Sequence, residues 1–330
     1  MKNSIKKLSV VFALILAFGF CFTGCGGNSG EKKVGIIQFM PHSSLDNCCQ
    51  GIKNVLEVKG IAYEVQVGSS TSPVDDCQSY AARTASSGEY DLIIAIATPA
   101  ATAAYSAVRS ASSDIPVIFC AVSDPVAAKL VQSVDVPGNN CTGTADAFDI
   151  PAQVAMIRAF QPALTKLGVI YTTTEPNSLS QLETLKAEAG KAGIEIVSMG
   201  INDATELPTV VANLLPDVEA VTNLTDNNVV DNMTTLLEQA KAAGIPVYGS
   251  EIEQVKKGCI AAASLDYVAL GEKTADMALA VRGGQSAAQT PVLVIADSTP
   301  VVNTDVMAQL GIALPAAYAS AEQVTTAGGN

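Results

Sequence analysis

Tryptophan is absent from this 330-residue chain, histidine occurs once, and aromatic residues make up 5% of it. The one histidine, His42, stands beside Ser43 and Ser44. A hydrolase triad needs a nucleophile on a strained Gly-x-Ser-x-Gly elbow with a carboxylate behind the histidine, and no such elbow is present. No glycine-rich loop suited to cradling phosphates occurs either, so neither hydrolysis reads as the activity and the chain does not read as an enzyme. Basic residues are scarce: 19 Lys and Arg face 32 Asp and Glu, a formal charge of −13. That balance excludes nucleic acid as a partner, because phosphate binding needs clustered cations and the release of counterions. Charged residues total 15%, under the roughly 25% of an average soluble chain. Cys48, Cys49, Cys77, Cys120, Cys141 and Cys259 lack zinc-like spacing and read as buried free thiols, so neither a metal nor a cofactor is expected.

What is present points to a large globular body. Hydrophobic residues make up 48%, which excludes a disordered polymer, and the length suits two domains of roughly 150 residues each. One long apolar run, Leu8 to Phe18, follows Lys2, Lys6 and Lys7 and precedes small residues, the order of a secretory signal over residues 1–24. Phe22-Thr23-Gly24-Cys25 resembles the bacterial lipobox, which implies lipidation of Cys25 and anchoring to the outer face of the cytoplasmic membrane. Residues 25–33, rich in Gly, Ser and Asn, then read as the tether that lets a body stand off the surface. Loss of the leader takes the charge from −13 to −16, since three lysines and no acids go with it.

Short apolar runs alternate with helical stretches: Val34–Ile37, Tyr63–Val67, Leu92–Ile96 and Val117–Cys120, then, after Ile150-Pro151, Leu167–Tyr171, Ile194–Val197, Val218–Val221, Ile245–Tyr248 and Cys259–Ala263. This is βαβ alternation repeated twice, and it predicts an α/β chain of two doubly wound parallel-sheet lobes joined by a hinge of several crossings. Residues 34–145 plus 266–286 are expected in one lobe, 146–265 plus 287–315 in the other, and 316–330 as a loose tail. Crossings are expected near Thr144–Asp149, Ser264–Asp266 and Gly284–Pro291, and Gly60, Gly193 and Gly244 each stand where a helix hands over to a strand.

A set of segments, in order and spacing, carries a resemblance across about Val34 to Leu314. They are Gln38–Asp46, Ala95–Ala101, Ala121–Val126, Gly168–Tyr171 followed by Glu175–Ser178, Thr225–Asn227, and Ser264–Tyr267 running into Leu270-Gly271. Together they resemble the substrate-binding lipoproteins of ABC importers of the tryptophan/tyrosine-type family, with the type I periplasmic-binding-protein fold. The resemblance implies a monomeric receptor that captures a small solute between two lobes and hands it to a membrane permease driven by a separate ATPase. A sensor subunit on the same fold, or a nucleoside or sugar as ligand, is the alternative.

In open parallel sheets the ligand lies beyond the carboxyl ends of the strands. The corresponding junctions here contain no Lys or Arg, which disfavours multiply charged anions, and they are rich in acids, which favours a ligand with an amine. Asp226, Glu251 and Asp266 are the candidates for the amine, and Thr98, Ser123 and Ser178, at expected helix starts, for a carboxylate. Phe39 and Tyr248 are candidates for an apolar side chain, and His42 for a ligand hydrogen bond or loop anchor. Gln38, Asp124, Tyr171, Glu175 and Asn177 complete the expected ligand-binding set. The polar members read equally well as helix caps and turn formers, and the aromatics as strand ends packed on helices.

Overall fold

The structure, a computed structural model, describes residues 32–326. The expected leader, Cys25 and nearly all of the tether lie outside them. Strand β1 (Lys33–Gln38) leads to α1 (Ser43–Val58), β2 (Tyr63–Val67), α2 (Pro73–Ser86), β3 (Tyr90–Ile96), α3 (Thr98–Ser110), β4 (Val117–Cys120) and β5 (Cys141–Asp146). The chain continues through α4 (Ile150–Phe160), β6 (Lys166–Thr172), α5 (Pro176–Lys191), β7 (Glu195–Ile201), α6 (Leu207–Leu214), β8 (Ala220–Thr222), α7 (Asn227–Asp231), α8 (Met233–Ala243), β9 (Val247–Tyr248), α9 (Ile252–Lys257) and β10 (Ala261–Ser264). Last come α10 (Tyr267–Arg282), β11 (Leu293–Ile295), β12 (Thr299–Asn303), α11 (Thr304–Leu310) and β13 (Glu322–Val324).

The first lobe holds a six-stranded sheet in the order β11-β5-β4-β3-β1-β2, every pairing parallel. The second holds a four-stranded parallel sheet, β7-β6-β8-β9. Backbone hydrogen bonds from Ile260 to Val247 and from Gly249 to Ala261 extend it towards a small sheet in the order β10-β12-β13. Helices cover both faces of the large sheet, which is why its central strand reads as unbroken apolar sequence: Leu92, Ile93, Ile94, Ala95 and Ile96 are all 0% exposed.

Local signals mark the helix ends. Pro73, Pro99, Pro151, Pro176 and Pro208 stand in first turns, where the missing N–H is no loss. Gly244 closes α8 at φ +67°, a left-handed conformation that glycine adopts without strain. Another pair of glycines decides where the site forms. A Cβ on Gly51 would lie 2.1 Å from the carbonyl oxygen of Val268, and one on Gly271 would lie 2.1 Å from that of Cys48. Their bare backbones let α1 and α10 touch directly, which brings Tyr267 at the start of α10 to the same cleft wall as Ser44 at the start of α1.

Two segments, and with the first of them the last crossing, sit differently from expectation. Leu293–Ile295, expected in the second lobe, pairs with Thr144–Asp146 as the edge of the first sheet. The last crossing therefore follows Ile295 and does not fall within Gly284–Pro291. An edge strand has a half-exposed apolar face, with Leu293 38% and Val294 45% exposed, so its sequence carries no burial pattern that names its sheet. The expected loose tail is held as far as it is described: β13 pairs in parallel with β12, the Tyr318 ring lies 5.9 Å from that of Phe160, and Asn303 Nδ2 donates to Thr326 Oγ1.

Candidate functional site

Between the lobes, at the carboxyl ends of both parallel sheets, lies a cleft with about 390 Å³ of empty space, its open mouth included. The first lobe contributes His42, Ser44 and Leu45 after β1, Ala97 and Thr98 after β3, Ala121 and Ser123 after β4, Asp146 at the end of β5, and Tyr267. The second contributes Asn177 after β6, Thr225, Asp226, Asn227 and Val230 after β8, and Ser250, Glu251 and Gln254 after β9. Two lining alanines have positive φ, Ala97 at +79° and Ala121 at +54°. Such a conformation costs an L-residue about 1–3 kcal/mol, and here it turns the chain sharply from strand end to cleft wall.

No lysine or arginine lines the cleft. Its acids differ in how fully the protein itself satisfies them. Asp226, 0% exposed, accepts from Thr172 N, Thr172 Oγ1, Ser178 Oγ and Val229 N, so its lone pairs are occupied by the scaffold. Glu251 caps α9, accepting from the backbone N–H groups of Glu253 and Gln254. Burial raises its carboxyl above the usual range, and those two bonds oppose the rise. Glu175, behind the wall, accepts from Asn227 N at 3.1 Å, Asn227 Nδ2 at 2.6 Å and Asn177 Nδ2 at 3.2 Å. Burial and then the neighbouring Asp226 charge push Glu175 upward.

Asp146 is different. It is 3% exposed and accepts from Ser123 Oγ at 3.0 Å and, at a long 3.3 Å, from the Tyr267 hydroxyl. It accepts two hydrogen bonds, as many as Glu251 and two fewer than Asp226, and so keeps acceptor capacity free. Burial pushes it up to about 6 against the pull of those hydrogen bonds, so a cation or further donors facing it stabilise its ionised form.

Several polar atoms at or beside the cleft wall have no protein partner: Ser43 Oγ, Ser44 Oγ, His42 Nδ1 and Asn177 Oδ1, with Ser44 and Asn177 only 4% and 3% exposed. Buried polar groups are nearly always paired, so such a cluster in a cleft marks where a polar ligand makes its bonds. Asn227 Nδ2 donates to Glu175, which turns Asn227 Oδ1 towards His42 Nε2 at 3.3 Å. The histidine therefore carries its proton on Nε2 and offers Nδ1 as an acceptor, and burial lowers its pKa, keeping it neutral.

Of the residues expected at the site, His42, Thr98, Ser123, Asn177, Asp226 and Glu251 meet at the cleft. Gln38, Glu175 and Ser178 stand behind it, Gln38 bracing the first loop through Met40 O and Asp46 Oδ1. Asp124 accepts from Ser180 Oγ of the other lobe and does not line the interior. Phe39 is buried in the first core, Tyr171 packs at the second, and Tyr248 is buried there with its hydroxyl on Gln161 Oε1. Asp266 is exposed and caps α10 through Val268 N and Ala269 N. The expected apolar platform of Phe39 and Tyr248 is thus not at the cleft, and of the three amine candidates Asp266 is outside it.

Asp146, Ser44, Thr225, Asn227, Ser250, Gln254 and Tyr267 are lining residues beyond the expected set. Asp146 had one sequence signal, a carboxylate ending the small-residue run Thr142-Gly143-Thr144-Ala145 just where the chain was expected to cross. The described residues contain no group of three or more His, Cys, Asp or Glu able to hold a metal, and all six described cysteines are free and buried. No helix among them is long and apolar enough to cross a membrane.

Known proteins resemble this chain along most of its length. A protein of Clostridioides difficile (strain R20291) called tyrosine-binding protein is 33% identical over 328 residues, covering 94% of this chain and 93% of its own. The structure of an ABC domain in complex with L-Trp from Streptococcus pneumonia superposes with a TM-score of 0.83 at 31% identity, covering 89% of this chain and 100% of that one. The ligand-free, open structure of a substrate-binding protein with adhesive properties from Clostridium difficile is 34% identical, covers 89% and 99%, and gives a lower TM-score of 0.66. The described conformation is therefore nearer the L-Trp complex than the open form. The sequence model described as ABC transporter substrate binding protein matches residues 33–325, and the chain belongs to that family.

Proposed function

We propose that this chain is the lipid-anchored, extracytoplasmic receptor of an importer for an aromatic or large apolar α-amino acid. The observation that carries the reading is Asp146, a buried carboxylate with free acceptor capacity in a cleft that has no lysine or arginine. An ammonium group satisfies it directly. The ligand carboxylate is held without a cation, by the Ser44 and Thr98 hydroxyls and the free N–H groups at the starts of α1 and α3. Leu45, Ala97, Ala121 and Val230 supply the apolar wall for the side chain. The names of the two relatives, one tyrosine-binding and one holding L-Trp, support the same ligand class.

The receptor acts as a monomer, turns nothing over, and hands its ligand to an ABC permease powered by a separate ATPase. Cys25 carries the lipid, and Cys25→Ala releases or mislocalises the body. Radiolabelled palmitate still entering that variant rejects the anchor. Calorimetry with tryptophan, tyrosine, phenylalanine and leucine tests the ligand. Tight binding of one of them is expected. No heat from any, alongside tight binding of a sugar or nucleoside, overturns the ligand assignment.

A further inference from the structure

We propose that Gln181 and Thr225 are positioning residues that couple ammonium capture at Asp146 to closure of the lobes, through a directed hydrogen-bond relay across the cleft. The proposal rests on Asp146 as the ammonium site.

Gln181, 6% exposed on α5, holds Thr225 twice: its Oε1 accepts from Thr225 N at 2.9 Å and its Nε2 donates to Thr225 Oγ1 at 2.7 Å. The orientation of the amide is settled by the first bond. A backbone N–H can only donate, so the amide oxygen faces it and the amide nitrogen faces the hydroxyl. Thr225 Oγ1 therefore accepts from Gln181 and keeps its own proton for another partner. That partner is Ser123 Oγ of the first lobe, 3.1 Å away. Ser123 in turn donates its single proton to Asp146 Oδ1 at 3.0 Å. Every donor in the series, Gln181 to Thr225 to Ser123 to Asp146, points the same way, fixed at one end by an amide and at the other by a carboxylate.

The direction gives the relay its function. Hydrogen bonds to an ionised acceptor are roughly twice as strong as neutral ones, and bonds in a chain polarise one another. An ammonium ligand stabilises the ionised form of Asp146, whose burial otherwise disfavours it. Ionised Asp146 strengthens the Ser123 bond, and polarised Ser123 becomes a better acceptor for Thr225 on the opposite lobe. Ligands without an ammonium group do not recruit this closure.

The test is a set of variants of the full chain, Thr225→Val, Gln181→Met, Thr225→Ser and Asp146→Asn, with the Thr225→Val/Asp146→Asn double variant. L-tyrosine is the probe in calorimetry, and small-angle scattering reads closure. Thr225→Val and Gln181→Met are expected to raise Kd roughly tenfold and to shift the scattering curve of the tyrosine-saturated protein towards the open form. Thr225→Ser, which keeps the hydroxyl, stays within about twofold of wild type. In the Asp146→Asn background, adding Thr225→Val costs less than about twofold, because the two sites act as one unit. Additive losses, or a Thr225→Ser variant as weak as Thr225→Val, overturn the relay. Failure of the ligand reading looks different: wild type gives no heat with L-tyrosine. That outcome overturns the relay together with the ligand reading, and it is distinct from additive losses in a wild type that binds.

Discussion

Asp124 and Ser180 meet from one lobe to the other, the serine hydroxyl donating to Asp124 Oδ2 at 2.5 Å, and neither side chain lines the cleft interior. Asp124 is tied to its own loop by Ala127 N at 2.9 Å, so the contact fastens a braced corner of one lobe to the first turns of α5 in the other. A bond between the lobes outside the cleft interior slows opening without choosing the ligand. Ser180→Ala is expected to speed ligand dissociation several-fold, by about 1 kcal/mol, and to leave the ranking of ligands unchanged. Stopped-flow release of two different amino acids checks it, and a changed ranking would count against the assignment.

Asp146→Asn removes the ammonium partner while keeping the shape. Truncating one side of a buried charged pair costs about 2–5 kcal/mol, so calorimetry should show binding weakened by more than tenfold.

The same residue sets a pH dependence. Its folded-state pKa is raised to about 6 from an ordinary 3.8, so between those two values the folded protein without ligand holds a proton that the unfolded chain has released. Ionisation of Asp146 thus costs stability as pH rises between those two values. An ammonium ligand needs the ionised form, so affinity should strengthen as pH rises through about 6 and weaken below it. A flat affinity profile from pH 5 to pH 8 would contradict Asp146 as the ligand's partner.

Phe39 and Tyr248 are 2% and 0% exposed within the two cores. Phe39→Ala should destabilise the protein by about 3–5 kcal/mol through a cavity in the first core. Ligand preference should not move, since the ring is outside the cleft. Thermal unfolding and a calorimetric panel on the same variant separate the two effects.

Gly271→Ala places a methyl group 2.1 Å from the Cys48 carbonyl. The helices α1 and α10 must separate, and a loss of about 1–3 kcal/mol is expected from overpacking. Because α10 carries Tyr267 and α1 carries Ser44, ligand affinity should fall together with the melting temperature.

The amino-acid sequence by itself determined the α/β class and most strands of the two parallel sheets. Strand runs such as Leu92–Ile96 are apolar without a break because both faces are covered, and the helix ends carry their own marks in Pro176 and Gly244. The acid-rich junctions free of lysine and arginine were equally legible, since charge is a property of composition. Tertiary structure alone decided which junction residues face the cleft. A residue at a strand end points to a core, to its own helix cap or to the ligand according to a rotation of a few tens of degrees, and neighbours distant in sequence set that rotation. Asp226 and Asp146 both end strands or follow them closely, yet four scaffold donors consume the first and only two reach the second. Leu293–Ile295, expected in the second lobe, was misplaced for the same reason: a short edge strand pairs through backbone groups that every residue shares, so its partner is chosen by where the chain can reach.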